Sequence, residues 1–273
     1  MEINVETISK LRNFLKEFDF SGNSSARFVN TLILKAKQGK ARDYLINYFK
    51  LIDSPYASAV IEKTRSVEFR TIVKELKEFD VNPINKRFEL YFGNQGTGKT
   101  TFATKMYPSA NIMPCNSSFE PSDLLETFDF DDGKKQLDKL GIDFDKELES
   151  EAIPFTDKVL LFELLMKAGS KAKYKPSPLL LAMINGETVI LDEINLLTRD
   201  CLRALQAFLD NKDRFEFKGT TIHIKEGFKV VGTMNLEVNG QIEALPAPLV
   251  DRAKDIEEFE LSDELLAKLA SGE

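Results

Sequence analysis

Gly93-Asn94-Gln95-Gly96-Thr97-Gly98-Lys99-Thr100 places three glycines, a lysine and a hydroxyl at the spacing G-x-x-x-x-G-K-[ST]. Glycines admit backbone angles closed to other residues, so successive N–H groups can turn inward and form an anion nest at a helix N-terminus. Lys99 would reach terminal phosphates, and the Thr100 hydroxyl would ligate Mg²⁺. Thr101 carries the same stretch into the helix that should follow. The chemistry implied is the binding of a nucleotide's phosphates.

Three further constellations could act on such a ligand. The apolar run Thr188 to Leu191 ends in Asp192 and Glu193. A carboxylate at a strand end beside the phosphate loop can hold a hydrated Mg²⁺, and a second one can orient or deprotonate an attacking water. Asn235 closes Phe228-Lys229-Val230-Val231-Gly232-Thr233-Met234-Asn235, where its amide could reach the γ-phosphate or the water. Asn is also a common turn residue after a strand. Arg252, in Leu249-Val250-Asp251-Arg252, could serve a neighbouring subunit's nucleotide as an arginine finger, although an Arg before a strand is ordinarily a surface charge.

Positioning these groups requires strands alternating with helices. From Arg87 onward, strand candidates lie at Phe88 to Phe92, Asn111 to Pro114, Thr188 to Leu191, Lys229 to Thr233 and Asp255 to Leu261, separated by helical stretches. That alternation predicts a parallel α/β sheet. Leu202, Leu205 and Leu209 mark a helix face, and Arg214 to Phe217 with Thr221 to Lys225 read as a hairpin across Lys218-Gly219. Residues 1 to about 80 read as helices instead. Stripes at Ile8, Leu11, Leu15 and Phe18, at Phe28, Val29, Leu32 and Ile33, and at Leu45, Tyr48, Phe49 and Ile52 have helical spacing, and Ser58 to Phe79 reads as one longer charged helix. Ser21-Gly22-Asn23-Ser24 and Asn82-Pro83 punctuate them.

The 273 residues can bury a sizeable core and hold one large or two modest domains. No apolar run approaches the roughly 20 residues of a membrane span, and no signal-peptide layout opens the chain, so the expected location is cytoplasmic. Cys115 and Cys201 lack metal-site or paired spacing and read as small core residues. His223 alternates with Ile222 and Ile224 and reads as a surface-facing strand residue. The net charge of −7 divides unevenly: residues 1–86 hold 15 Lys/Arg against 11 Asp/Glu, and the remainder 22 against 33. A basic excess of this size fits solvated helix faces, with nucleic-acid contact as the weaker reading.

Taken in order, these motifs resemble an AAA+ ATPase, and Tyr174 to Asn195 is similar to the dynein-related branch that includes MoxR-type and cobaltochelatase-type ATPases. In that branch a helix ending in Gly precedes the acidic strand, and here Ser177-Pro178 would start it and Gly186 would end it. Pro121 to Leu125, the hairpin, Gly232 to Asn235 and Leu245 to Arg252 are similar too, so the resemblance covers about residues 87 to 262. It implies a P-loop NTPase fold with a parallel sheet flanked by helices, strand order 5-1-4-3-2, an N-terminal helical region at 1–86 and a core at 87–262. Within that core it implies a pre-sensor hairpin at 214–225 and an insertion at 126–174, acidic at Asp129, Asp131 and Asp132.

The same resemblance implies residue roles. Gly93 to Thr101 would bind nucleotide, with Lys99 and Thr100 as Walker A; Asp192 and Glu193 would be Walker B, Asp192 sharing Mg²⁺ with Thr100; Asn235 would be sensor 1 and Arg252 the finger. ATP and Mg²⁺ are the implied ligands, and a hexameric ring acting on a protein partner the implied assembly. The helical lid that normally follows the last strand is truncated or absent here, since residues 263–273 could supply only a short remnant; residues 1–86 could take its place. Leu236 also stands where many relatives have Pro. The leading reading is an ATP-hydrolysing remodelling motor, and the alternatives are a nucleotide-gated scaffold with little hydrolysis and a nucleic-acid motor related to restriction-system proteins. No base-reading motif in the sequence separates ATP from GTP.

Overall fold

A computed structural model describes residues 4–20, 25–81, 87–129, 173–210, 213–236 and 244–260. Most of the expected insertion and the C-terminal tail lie outside these residues.

The N-terminal helices are α1 (Val5–Lys16), α2 (Ala26–Lys37), α3 (Ala41–Leu51), α4 (Ala57–Lys63) and α5 (Val67–Leu76). Capping explains several of their starts: Asn4, Ser25 and Ser66 each accept a first-turn N–H through the side chain, satisfying a donor the helix cannot. Ser66 also corrects one expectation. Instead of a single helix from Ser58 to Phe79 there are two, because Ser66 turns extended at ψ 157° and its hydroxyl accepts from Phe69 N–H at 3.2 Å, opening a new helix. The apolar stripes meet in an aromatic core, with Phe28 and Tyr48 ring centroids 4.6 Å apart and Phe14 and Phe69 5.3 Å apart.

The remaining elements are β1 (Phe88–Gly93), α6 (Lys99–Met106), β2 (Asn111–Pro114), β3 (Glu126–Asp129), β4 (Lys173–Pro176), α7 (Pro178–Asn185), β5 (Thr188–Asp192), a 3-10 turn (Ile194–Leu196), α8 (Arg199–Leu209), β6 (Arg214–Phe217), β7 (Thr220–His223), β8 (Lys229–Asn235), α9 (Ala247–Val250) and β9 (Asp255–Phe259). Five strands form one sheet in the order β2-β5-β8-β1-β9, every pairing parallel. Numbering those five strands along the chain gives 5-1-4-3-2, the expected order. Continuous apolar character marks strands covered on both faces, and all six residues of β1 are buried.

β6 and β7 make the expected hairpin, with His223 exposed on it. Both cysteines are buried, and burial pushes the Cys115 thiol up to about 12, so it is inert as a nucleophile at neutral pH.

Contacts divide the chain into two units, 1–121 with 181–273, and 122–180. In the second, β3 and β4 pair antiparallel, a hairpin not foreseen from the sequence, and Ser177 donates to Leu124 O at 2.6 Å while accepting from Leu180 N–H at 3.1 Å. In the first, the N-terminal helices pack on the sheet edge at β9. Lys50 bonds Glu258 at 2.9 Å, Lys35 bonds Asp255, and Leu245 N–H donates to Leu51 O at 3.1 Å.

Candidate functional site

Parallel strands put their carboxyl ends along one edge, and the register sets which residues become neighbours there. Gly93 at the end of β1 pairs with Asn235 at the end of β8, and Leu191 of β5 pairs with Gly232 of β8. Asp192 and Thr233 therefore lie side by side one residue further on. Because β1 is flanked by β8 and β9 while β2 sits at the far edge, the chain leaves β1 and returns on opposite sides, which opens a crevice at that strand's end.

The loop from Gly93 to Gly98 fills that crevice. Gly93 has φ +151° and pairs so closely with β9 that a Cβ would come 2.1 Å from Phe259 O. Gly98 is left-handed at φ 84° and forms the cap position of α6. Lys99, the first residue of that helix, is only 5 % exposed and donates to Gly93 O at 3.0 Å, Asn94 O at 2.7 Å and Thr97 Oγ1 at 3.3 Å. Burial lowers its pKa below the usual lysine value, against the opposing pull of the Asp192 and Glu193 charges. Gly93 O also accepts from Leu236 N–H at 3.0 Å, a bond that proline at 236 would lack.

The acids are held by hydroxyls and an amide. Thr100 Oγ1 donates to Asp192 Oδ1 at 2.7 Å, and Thr233 Oγ1 donates to the same oxygen at 2.5 Å. Thr233, 1 % exposed, accepts in turn from Glu193 N–H at 3.1 Å. Glu193 itself is left-handed at φ 57°, ψ 48°, a conformation that costs a non-glycine residue about 1–2 kcal/mol. Asn235 Nδ2 donates to Glu193 Oε1 at 2.7 Å, which leaves the second carboxylate oxygen for another partner. Together Gln95, Gly96, Gly98, Lys99, Thr100, Thr101, Asp192, Glu193, Thr233 and Asn235 line one cavity of about 290 Å³. That is the low end of the range for small-molecule sites.

Arg252 is placed differently. Its Nε donates to Asp210 Oδ1 at 3.0 Å and a terminal nitrogen donates to Pro248 O, while Arg27 shares Asp210 at 3.1 Å. Neither Arg252 nor any residue of 4–81 lines the cavity among the described residues. Sequence reasoning thus brought Lys99, Thr100, Asp192, Glu193 and Asn235 to one place, but it missed Thr233 as the joint between the two acids. The available signal was a lone hydroxyl in the otherwise apolar run Val230 to Met234. It also missed Asp210, which carried no signal beyond being an acid at a helix end.

Residues 154–253 match the family of AAA domains of the dynein-related subfamily. The fold is similar to that of a Cytophaga hutchinsonii protein assigned as an ATPase, at 17 % identity and TM-score 0.42, covering 68 % of this chain and 47 % of that one. It is also similar to S. cerevisiae Hsp104 in its ADP complex, at 15 % identity and TM-score 0.38, covering 86 % of this chain and 38 % of that one. The chain thus spans less than half the length of either structure. No curated protein matches the sequence. The family match covers residues 154–253, and the sheet order and the phosphate loop facing paired acids are consistent with the P-loop NTPase fold of AAA+ proteins.

Proposed function

We propose that this cavity hydrolyses ATP, and that the chain works as a nucleotide-dependent ring in which Arg252 of one copy completes the site of the next. The observation that carries the reading is the Glu193–Asn235 bond beside the Thr100–Asp192 pair, all lining one cavity with the phosphate loop. Loop N–H groups and Lys99 face the phosphates, and the lysine's bonds to Gly93 O and Asn94 O are the ones a phosphate oxygen would replace. Thr100 Oγ1 and Asp192 Oδ1 are adjacent hard oxygen donors, a set that suits Mg²⁺. The ion, when bound, neutralises charge on the phosphates.

The chain's own residues do the rest. Asn235 holds one oxygen of Glu193, and the other accepts a proton from water as that water's oxygen attacks the terminal phosphorus. The bond to the bridging oxygen breaks, and ADP leaves with the electron pair. Thr233 keeps Asp192 and Glu193 in fixed relation throughout. Arg252 is bound within its own chain to Asp210 and stands outside its own cavity, an arrangement suited to action on a neighbour.

Phosphate release measured against protein concentration tests this. Turnover per subunit should rise with concentration in the wild type and stay flat in Arg252→Ala. Glu193→Gln should bind nucleotide normally and turn over about 10²–10⁴-fold more slowly. Wild-type turnover in Glu193→Gln would overturn the assignment of the base. A flat, negligible rate in the wild type would favour a scaffold gated by nucleotide.

A further inference from the structure

A second concavity lies among the N-terminal helices, and its charge is one-sided. About 310 Å³ in volume, it is lined by Arg42 of α3, Arg65 between α4 and α5, Arg70 and Lys74 of α5, and Lys77 just beyond, with no carboxylate in its wall. All five cations are exposed, and none forms an ion pair among the described residues. Positions 70, 74 and 77 fall at i, i+4 and i+7, one face of a helix. The acids of α5 are engaged elsewhere. Glu75 accepts from Thr7 at 2.8 Å and from Lys10 at 3.3 Å, and Glu68 lies 3.8 Å from Lys63.

A helix C-terminus attracts basic residues, which accounts for Lys74 and Lys77 alone. It does not account for three arginines brought from separate elements to the same wall. The convergence is the more telling in a chain of net charge −7, where an unneutralised cluster of five stands against the overall balance. At physiological salt, screening over about 8 Å confines that field to the pocket's neighbourhood. Guanidinium forks match phosphate oxygens in two-point contacts. The pocket's one aromatic, Phe69, is buried, so no ring is available to stack an unpaired base. Nor does an exposed large apolar side chain line it, as the centre of a protein interface would require.

We propose that this pocket binds the phosphodiester backbone of double-stranded nucleic acid, independently of sequence. The expectation is tested with the full-length chain and a fluorescently labelled 20-base-pair DNA duplex, by anisotropy across a salt series without nucleotide. Three to five phosphate contacts give a slope of log K against log salt of about −3 to −4.5. Arg70→Glu with Lys74→Glu should weaken binding at least ~10-fold and flatten the slope by ~2 units. Arg42→Gln with Arg65→Gln should weaken it in the same sense, so that a misfolded first variant does not decide the matter. Lys99→Ala should bind the duplex as the wild type does, which separates this site from the nucleotide cavity. Absence of duplex binding at low salt, or unchanged binding in both double variants with intact melting curves, overturns the proposal. Binding of labelled poly-glutamate more tightly than the duplex at matched charge and salt also overturns it, since the pocket would then favour an acidic polypeptide.

Discussion

Replacing Thr233 by Val removes two hydrogen bonds without changing the shape of the residue. The hydroxyl's bond to Asp192 Oδ1 at 2.5 Å is charge-assisted, and its bond from Glu193 N–H at 3.1 Å satisfies a donor that has no other partner among the described residues. Losing the first costs about 1.5–3 kcal/mol, and stranding the second adds about 1–3 kcal/mol. The extra methyl in an apolar strand offsets about 1 kcal/mol. A net loss of about 1.5–5 kcal/mol follows, and at about 2–4 °C per kcal/mol for a chain of this size Tm should fall by roughly 3–20 °C.

The effect on turnover has a separate cause. Glu193 is held at φ 57°, and the Thr233 hydroxyl is among the contacts that keep it there, with the Asn235 amide and Leu196 N–H. Relaxation of that backbone would move the carboxylate, and a displacement near 1 Å costs about 100-fold in rate. We expect kcat to drop ~10- to 100-fold in Thr233→Val, with nucleotide affinity held within a few-fold because residues 93–98 make no bond to Thr233. Thr233→Ser should recover most of both losses. The measurements are steady-state phosphate release, nucleotide binding and thermal melting. Wild-type Tm and kcat in Thr233→Val, or a serine variant as impaired as the valine, would refute the reasoning.

Gly186 ends α7 at φ +76°, and a Cβ there would sit 2.3 Å from Glu226 O, whereas Gly219 has the similar φ +75° with open space around it. Gly219→Ala should therefore lose only the ~1–2 kcal/mol of a left-handed alanine, and Gly186→Ala clearly more; equal losses by chemical denaturation would contradict the contact. The Lys35–Asp255 pair predicts a pH dependence. Burial pushes the Asp255 pKa up, but Lys35 and then Lys254 outweigh it and leave the value lowered. A depressed carboxyl contributes stability above its unfolded value near 3.9 and loses it as pH falls through the folded value. Lys35→Met should thus melt below the wild type at pH 7, with the gap closing below about pH 4; a gap constant from pH 3 to 7 would count against the pair.

Much of the fold was legible because its strands announce themselves in the simplest way. Val189 to Leu191 and Val230 to Val231 are buried on both faces, so their apolar runs are continuous and their ends fall at polar residues that must face the crevice. The α4–α5 break was not legible, because Thr64-Arg65-Ser66 interrupts no apolar stripe and only the Ser66 cap shows that a new helix begins. The β3–β4 hairpin escaped for another reason. Residues 126–129 and 173–176 are distant in sequence, and neither is apolar enough to read as a strand alone.

What the sequence by itself determined is a set of candidate groups: a glycine-rich loop ending in Lys99 and Thr100, two acids at 192 and 193, an amide at 235, and an arginine at 252. Each was visible because its chemistry demands a residue type at a local spacing. Tertiary structure decided how those groups are coupled. Parallel register set Thr233 beside Asp192 and let one hydroxyl tie both acids together, and the fold brought Arg27 and Arg252 to a common carboxylate at Asp210, just past α8. It also gathered five cations from separate elements into one pocket. Such pairings join residues 40 to 180 positions apart, and only the burial of continuous apolar surface brings them within bonding distance.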